Sequence, residues 1–212
     1  MPGQDAKTKL LDAATGLIRA KGYAATTVDD ICKTAGLTKG AFFHHFATKE
    51  ACAVAAAARW GATTGAFFET APYRALPDPR DRVLGYIDFR REILQGTLPQ
   101  FTCLLGTMVQ EAYESHPAIR QACDRYISEH AATVEADIAD AKRLYAPDAA
   151  WSPKSLGLYT QAVIQGSFVL AKAKHGPAIA ADCIGHLRHY VEMLLWPAED
   201  GEARKAARRK AR

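Results

Sequence analysis

The sequence has no run of 18 apolar residues, so no segment of it reads as a membrane span. Its first residues, MPGQDAKTKLLDAA, have no continuous apolar core and no export signature, so a cytoplasmic location is expected. Phosphate-binding and dinucleotide-binding glycine patterns are both missing, as is a nucleophile elbow. No catalytic arrangement stands out, no cofactor is implied, and the chain is not read as an enzyme. Cysteine is sparse: Cys32, Cys52, Cys103, Cys123 and Cys183 are odd in number and widely scattered, which suits reduced, structural thiols better than a disulfide framework. Cys183, His186 and His189 step by three residues, a spacing that drifts around a helix, and no metal site is expected there. No convincing strand and no internal repeat is visible. A net charge of only +4 makes global charge weak evidence for a nucleic-acid partner.

What is present is a globular composition, 49% hydrophobic and 24% charged, in 212 residues, enough for one large domain or two small ones. The chain is organised around residues 26–50, TTVDDICKTAGLTKGAFFHHFATKE. Val28, Ile31, Cys32 and Ala35 stand at i, i+3, i+4 and i+7, one buried stripe of a short helix. Thr27 is placed to cap it and Asp30 completes a capping-box pattern. Gly36 follows the last periodic residue, where a left-handed backbone ends a helix. Thr38 can cap a second helix, Lys39 to His45. Phe42 and Phe46, one turn apart, should pack inward, leaving Lys39, Phe43, His44 and His45 outside. A short helix whose outer face carries rings and a cation reads as a recognition surface, and helix-turn-helix is the motif that builds one.

Ala35–Gly36, the turn Leu37–Thr38–Lys39–Gly40, the run Phe43–Phe46 and the pair Lys49–Glu50 together resemble the DNA-binding segment of the TetR family of bacterial transcriptional repressors. The resemblance covers about the first quarter of the chain. It implies a homodimer that binds a palindromic double-stranded DNA operator and is released by a small-molecule effector. The expected DNA-contacting set is Thr27, Thr38, Lys39, Gly40, Phe43, His44, His45 and Lys49, with Lys39 and Lys49 on phosphates. Phe43 departs from the family pattern, where a Tyr is usual. The helix carries no Arg, Asn or Gln for bidentate base reading. Asp29 lies where phosphate would come close, and also complements the dipole of its helix. Zinc on the adjacent His44 and His45 is disfavoured, since neighbours on a helix point about 100° apart.

The fold expected is all-α with about nine helices. Residues 1–47 form the helix-turn-helix domain, 48–197 a helical ligand-binding and dimerisation domain, and 198–212 a basic, disordered tail in which six of the last ten residues are Lys or Arg. A long helix from Thr48 to about Ala71 should bridge the first two. The resemblance assigns an effector cavity, with Trp60, Phe67, Phe68, Phe89, Met108, Gln110, Tyr113 and Gln165 as candidate lining. It also makes the last two helices a dimer bundle, with Tyr159, Ala162, Gly166, Val169, Leu187 and Val191 at the seam. Two rival readings remain: a thiol-based sensor using Cys103 or Cys123, and a helical carrier or enzyme using only the cavity.

Overall fold

The computed structural model describes residues 5–196, so the basic tail lies outside the described residues. Every described element is helical: α1 (Ala6–Lys21), α2 (Val28–Ala35), α3 (Lys39–His45), α4 (Lys49–Glu69), α5 (Pro79–Glu92), α6 (Leu98–Phe101), α7 (Leu104–Ala112), α8 (Pro117–Tyr145), α9 (Pro153–Ala173) and α10 (Ala178–Leu195). A 3-10 turn, Pro72–Ala75, follows α4. The helix beyond the expected nine is α6. It is separate because Thr102 adopts an extended backbone and α7 starts afresh at Leu104.

Helix starts follow the side chains that can cap them. Asp5, Thr27, Thr38, Thr48, Asp78 and Ser152 each accept a hydrogen bond from a first-turn amide of α1, α2, α3, α4, α5 and α9 respectively. The capping box of α2 is closed, with Asp30 bonded back to the Thr27 amide at 3.0 Å. Gly36 ends α2 at φ 66°, where a side chain would be strained.

The chain divides into two compact units that do not follow the 47/48 boundary read from the sequence. The first takes residues 5–70 and 95–130, the second 71–94 and 131–196. In the first, Leu10, Leu11, Ala14 and Ile18 of α1 are buried with Ile31 and Cys32 of α2, Phe42 and Phe46. From α4, Cys52, Ala53, Ala56 and Ala57 join the same core. These small side chains let α1 come close to α4. Leu104, Leu105, Met108 and Ala112 of α7 complete it, with Ile119 and Cys123 of α8. The helix-turn-helix therefore shares one core with α4 and α7, because its own two short helices cannot bury enough surface alone. The long α4 lies within this unit and does not run between units; the helix with residues in both is α8.

In the second unit, Asp137 of α8 is buried and receives Arg74 at 2.6 Å and Arg82 at 2.8 Å. Arg188 of α10 meets Asp88 of α5 at 2.8 Å. Gln161 of α9 donates to the Tyr86 hydroxyl at 2.9 Å, both groups buried. Asp137 and Gln161 thus meet partners carried by other elements, which helps hold α5, α8 and α9 in register.

Candidate nucleic-acid interface

The recognition helix α3 stands on Phe42, 0% exposed, and on Phe46, which follows it. The two rings are 5.6 Å apart. This apolar footing fixes which face turns outward. Phe43 is 54% exposed, its ring edge-on to Phe42 at 5.3 Å. His44 and His45 stack edge to face at 4.9 Å, with His44 exposed and His45 half-buried. Gly40 is exposed, and a Cβ there would meet only the Thr38 hydroxyl at 3.7 Å. Nothing inside the protein requires a glycine at this place.

Two lysines expected on phosphates differ in the structure. Lys39 extends from the start of α3 and pairs with Asp29 of α2 at 2.7 Å, both side chains well exposed. The Asp29 carboxylate raises the Lys39 pKa and keeps the ammonium charged. Lys49 turns inward instead. Its ammonium donates to the carbonyls of Tyr23 at 3.0 Å and Thr26 at 2.9 Å, and lies 4.1 Å from the centre of the Tyr23 ring. Burial pushes its pKa down. Lys49 is therefore a tie that closes the α1–α2 connection, and its assignment to phosphate is corrected. Thr27 and Thr38 are both occupied as helix caps, which presents the first-turn amides of α2 and α3 at the surface.

The same connection is held from α7. Glu111 accepts the Ala24 amide at 2.9 Å, and its carboxylate fills the place where a Cβ at Gly22 would stand. The Tyr23 ring meets His116 edge-on at 5.0 Å. Neither contact was visible in the sequence.

These elements match known proteins over the same stretch. The family model described as bacterial regulatory proteins, tetR family, matches residues 10–56. Residues 10–56 thus match the N-terminal domain of the TetR family. The transcriptional repressor KstR2 of Rhodococcus jostii is 48% identical over 44 residues, 21% of this chain and 22% of that protein. The regulator CymR of Pseudomonas putida is 49% identical over 41 residues, 19% of this chain and 20% of that one. The matched region thus spans about a fifth of these relatives' length. Likeness of fold extends much further. A TetR regulator from Rhodobacter sphaeroides superposes with a TM-score of 0.77 at 20% identity, covering 87% of this chain and 97% of that one. One from Chloroflexus aurantiacus gives 0.77 at 22% identity, covering 88% and 94%.

The remaining candidates fall into groups the sequence did not separate. Trp60, Phe67, Phe68, Met108, Gln110 and Tyr113 belong to the first unit, Phe89 and Gln165 to the second. Met108 and Phe68 are buried, the latter with its ring 4.8 Å from His130, while Tyr113 is 57% exposed. Gln110 turns back on its own helix, donating to the Gly106 carbonyl at 2.7 Å. On α9, Tyr159, Ala162, Gly166 and Val169 form one exposed stripe. Leu187 and Val191 of α10 are only 2% and 0% exposed, so they pack inside their own unit and their assignment to the dimer seam is corrected. Tyr190 and Met193 occupy the outer face of α10, Tyr190 with its ring 5.4 Å from Tyr159. Burial pushes the Cys123 thiol up to about 12, which removes the thiolate a sensor would need there. Cys103 is half-buried beside the start of α7. Among the described residues no helix is long and apolar enough to cross a membrane.

Proposed function

We propose that the chain is a homodimeric transcriptional repressor, binding one DNA half-site per subunit and released by a small-molecule effector. The observation that carries this is the outer face of α3: a cation, three exposed or half-exposed rings and a glycine with open space, all set on a buried Phe42–Phe46 footing. Lys39 and the first-turn amides of α2 and α3 meet phosphates, while Phe43 and His44 enter the major groove. The similar segments of KstR2 and of a biofilm-operon negative regulator from Staphylococcus aureus come from proteins named as repressors, which supports the direction of control. The exposed apolar stripe of α9, joined by Tyr190 and Met193, supplies the two-fold partner surface that a palindromic site requires. An effector that weakens DNA binding is by linkage weakened by DNA to the same factor.

The test combines light scattering with DNA retardation. The protein should be a dimer at micromolar concentration and retard a fragment carrying an inverted repeat. Tyr190→Glu combined with Met193→Glu should give a folded monomer that retards it poorly. A monomeric unmodified protein would sink the reading. So would failure to retard any fragment from a genomic library, and turnover of a small molecule would then favour a carrier or enzyme.

A further inference from the structure

We propose that Arg19, Thr102 and the start of α7 form a binding site for the carboxylate head of a small organic anion, the chemical class of the effector. The proposal rests on the reading of the chain as an effector-released repressor. Three independent features converge on this place, all within the first compact unit.

The first is Arg19 of α1. Its Nε donates to the Thr102 carbonyl at 2.8 Å, and its guanidinium carbon lies 4.5 Å from the centre of the Trp60 ring. Among the described residues no carboxylate pairs with it. The acid nearest in sequence, Asp12 on the same helix, meets Arg59 at 3.2 Å instead. In the second unit Arg74, Arg82 and Arg188 all have aspartate partners. A half-buried guanidinium with no carboxylate beside it is a ready partner for an anion. Burial lowers the pKa of Arg19, as expected for a cation without a counter-ion.

The second is Thr102 itself. It is 1% exposed, and its hydroxyl has no hydrogen-bond partner. Native interiors keep few such groups. The third is the beginning of α7. Cys103 is its N-cap and supplies no capping bond, and Leu104, Leu105 and Gly106 are buried. Their amides have no intrahelical acceptor, and the helix dipole puts positive charge at this end. One cation, one hydroxyl and one helix start together suit a single negative charge. The Trp60 ring beside Arg19 suits an organic body better than an inorganic ion.

The test uses the full chain with acetate, benzoate and hexanoate, each beside its neutral primary amide. At least one carboxylate should raise the melting temperature and bind by calorimetry, and its amide should not. Thr102→Val should act in opposite directions on two readouts. It should raise the melting temperature of the ligand-free protein, since a methyl replaces an unpaired buried hydroxyl, and weaken carboxylate binding about tenfold. Arg19→Met should weaken it about ten- to hundredfold. Amides that match all three carboxylates, or a Thr102→Val protein that binds them as tightly as the unmodified one, would overturn the site. Carboxylate binding that leaves a retarded DNA fragment in place would overturn the effector role. Failure to retard DNA at all strikes the repressor reading, and the melts still decide the carboxylate site.

Discussion

Asp29 places a negative charge beside Lys39, so on the proposed reading Asp29→Asn should strengthen DNA binding. Lys39 Nζ lies 2.7 Å from Asp29 Oδ1, with side chains 62% and 66% exposed. A pair this open to water contributes little to the fold, so the variant should melt within a few degrees of the unmodified protein. Freeing Lys39 for a phosphate should raise affinity about two- to fivefold, the range expected for releasing one exposed pair. The salt dependence is the sharper readout. One additional phosphate neutralised steepens the plot of log affinity against log salt by about 0.9. Between 50 and 200 mM salt that is a further loss of about three- to fourfold, so the gain should be largest at low salt and nearly vanish at high salt. Fluorescence anisotropy with a labelled operator fragment measures both quantities. In a Lys39→Ala background, Asp29→Asn should have a much smaller effect on the slope. Equal affinity and equal slope in the Asp29→Asn and unmodified proteins would refute the reasoning and place the Asp29–Lys39 pair away from the phosphates.

Three further outcomes follow from the same interface. Gly40→Ala should stabilise α3 by up to about 1 kcal/mol, because a Cβ there has open space, yet weaken DNA binding by standing between helix and backbone; unchanged affinity would remove Gly40 from the interface. Lys49→Met should lower stability by roughly 1–3 kcal/mol in denaturant melts, through the two carbonyls left behind, while the salt slope holds; a slope reduced by about 0.9 with stability unchanged would return Lys49 to the phosphates. The Lys21 ammonium, with the Thr27 amide and hydroxyl, holds the Asp30 carboxyl well below the usual carboxylate range. A depressed folded pKa gives stability that is complete above the unfolded value of about 3.9 and is lost as pH falls below it. Melting temperature should therefore fall less steeply below pH 4 in Asp30→Asn than in the unmodified protein, and parallel curves would remove the capping box from acid sensitivity.

The sequence by itself determined most of the helices and the outward face of α3, because both depend on contacts a few residues long. Thr27 with Asp30, Gly36 at a positive φ and Thr38 are local signals, and each acts within one helical turn. Phe42 and Phe46 show their phase because they stand one turn apart, with His44 and His45 between them on the other side. Tertiary structure decided what depends on partners far along the chain. Lys49 reaches carbonyls 26 and 23 residues away, so its sequence neighbours say nothing of its burial. Arg19 meets Thr102 across 83 residues, and Glu111 meets Ala24 across 87. On α10 two apolar stripes compete, one with Leu187 and Val191 and one with Tyr190 and Met193. A helix apolar on more than one side carries no phase of its own. Packing with α5 and α9 selects the stripe that is buried, and leaves the other exposed.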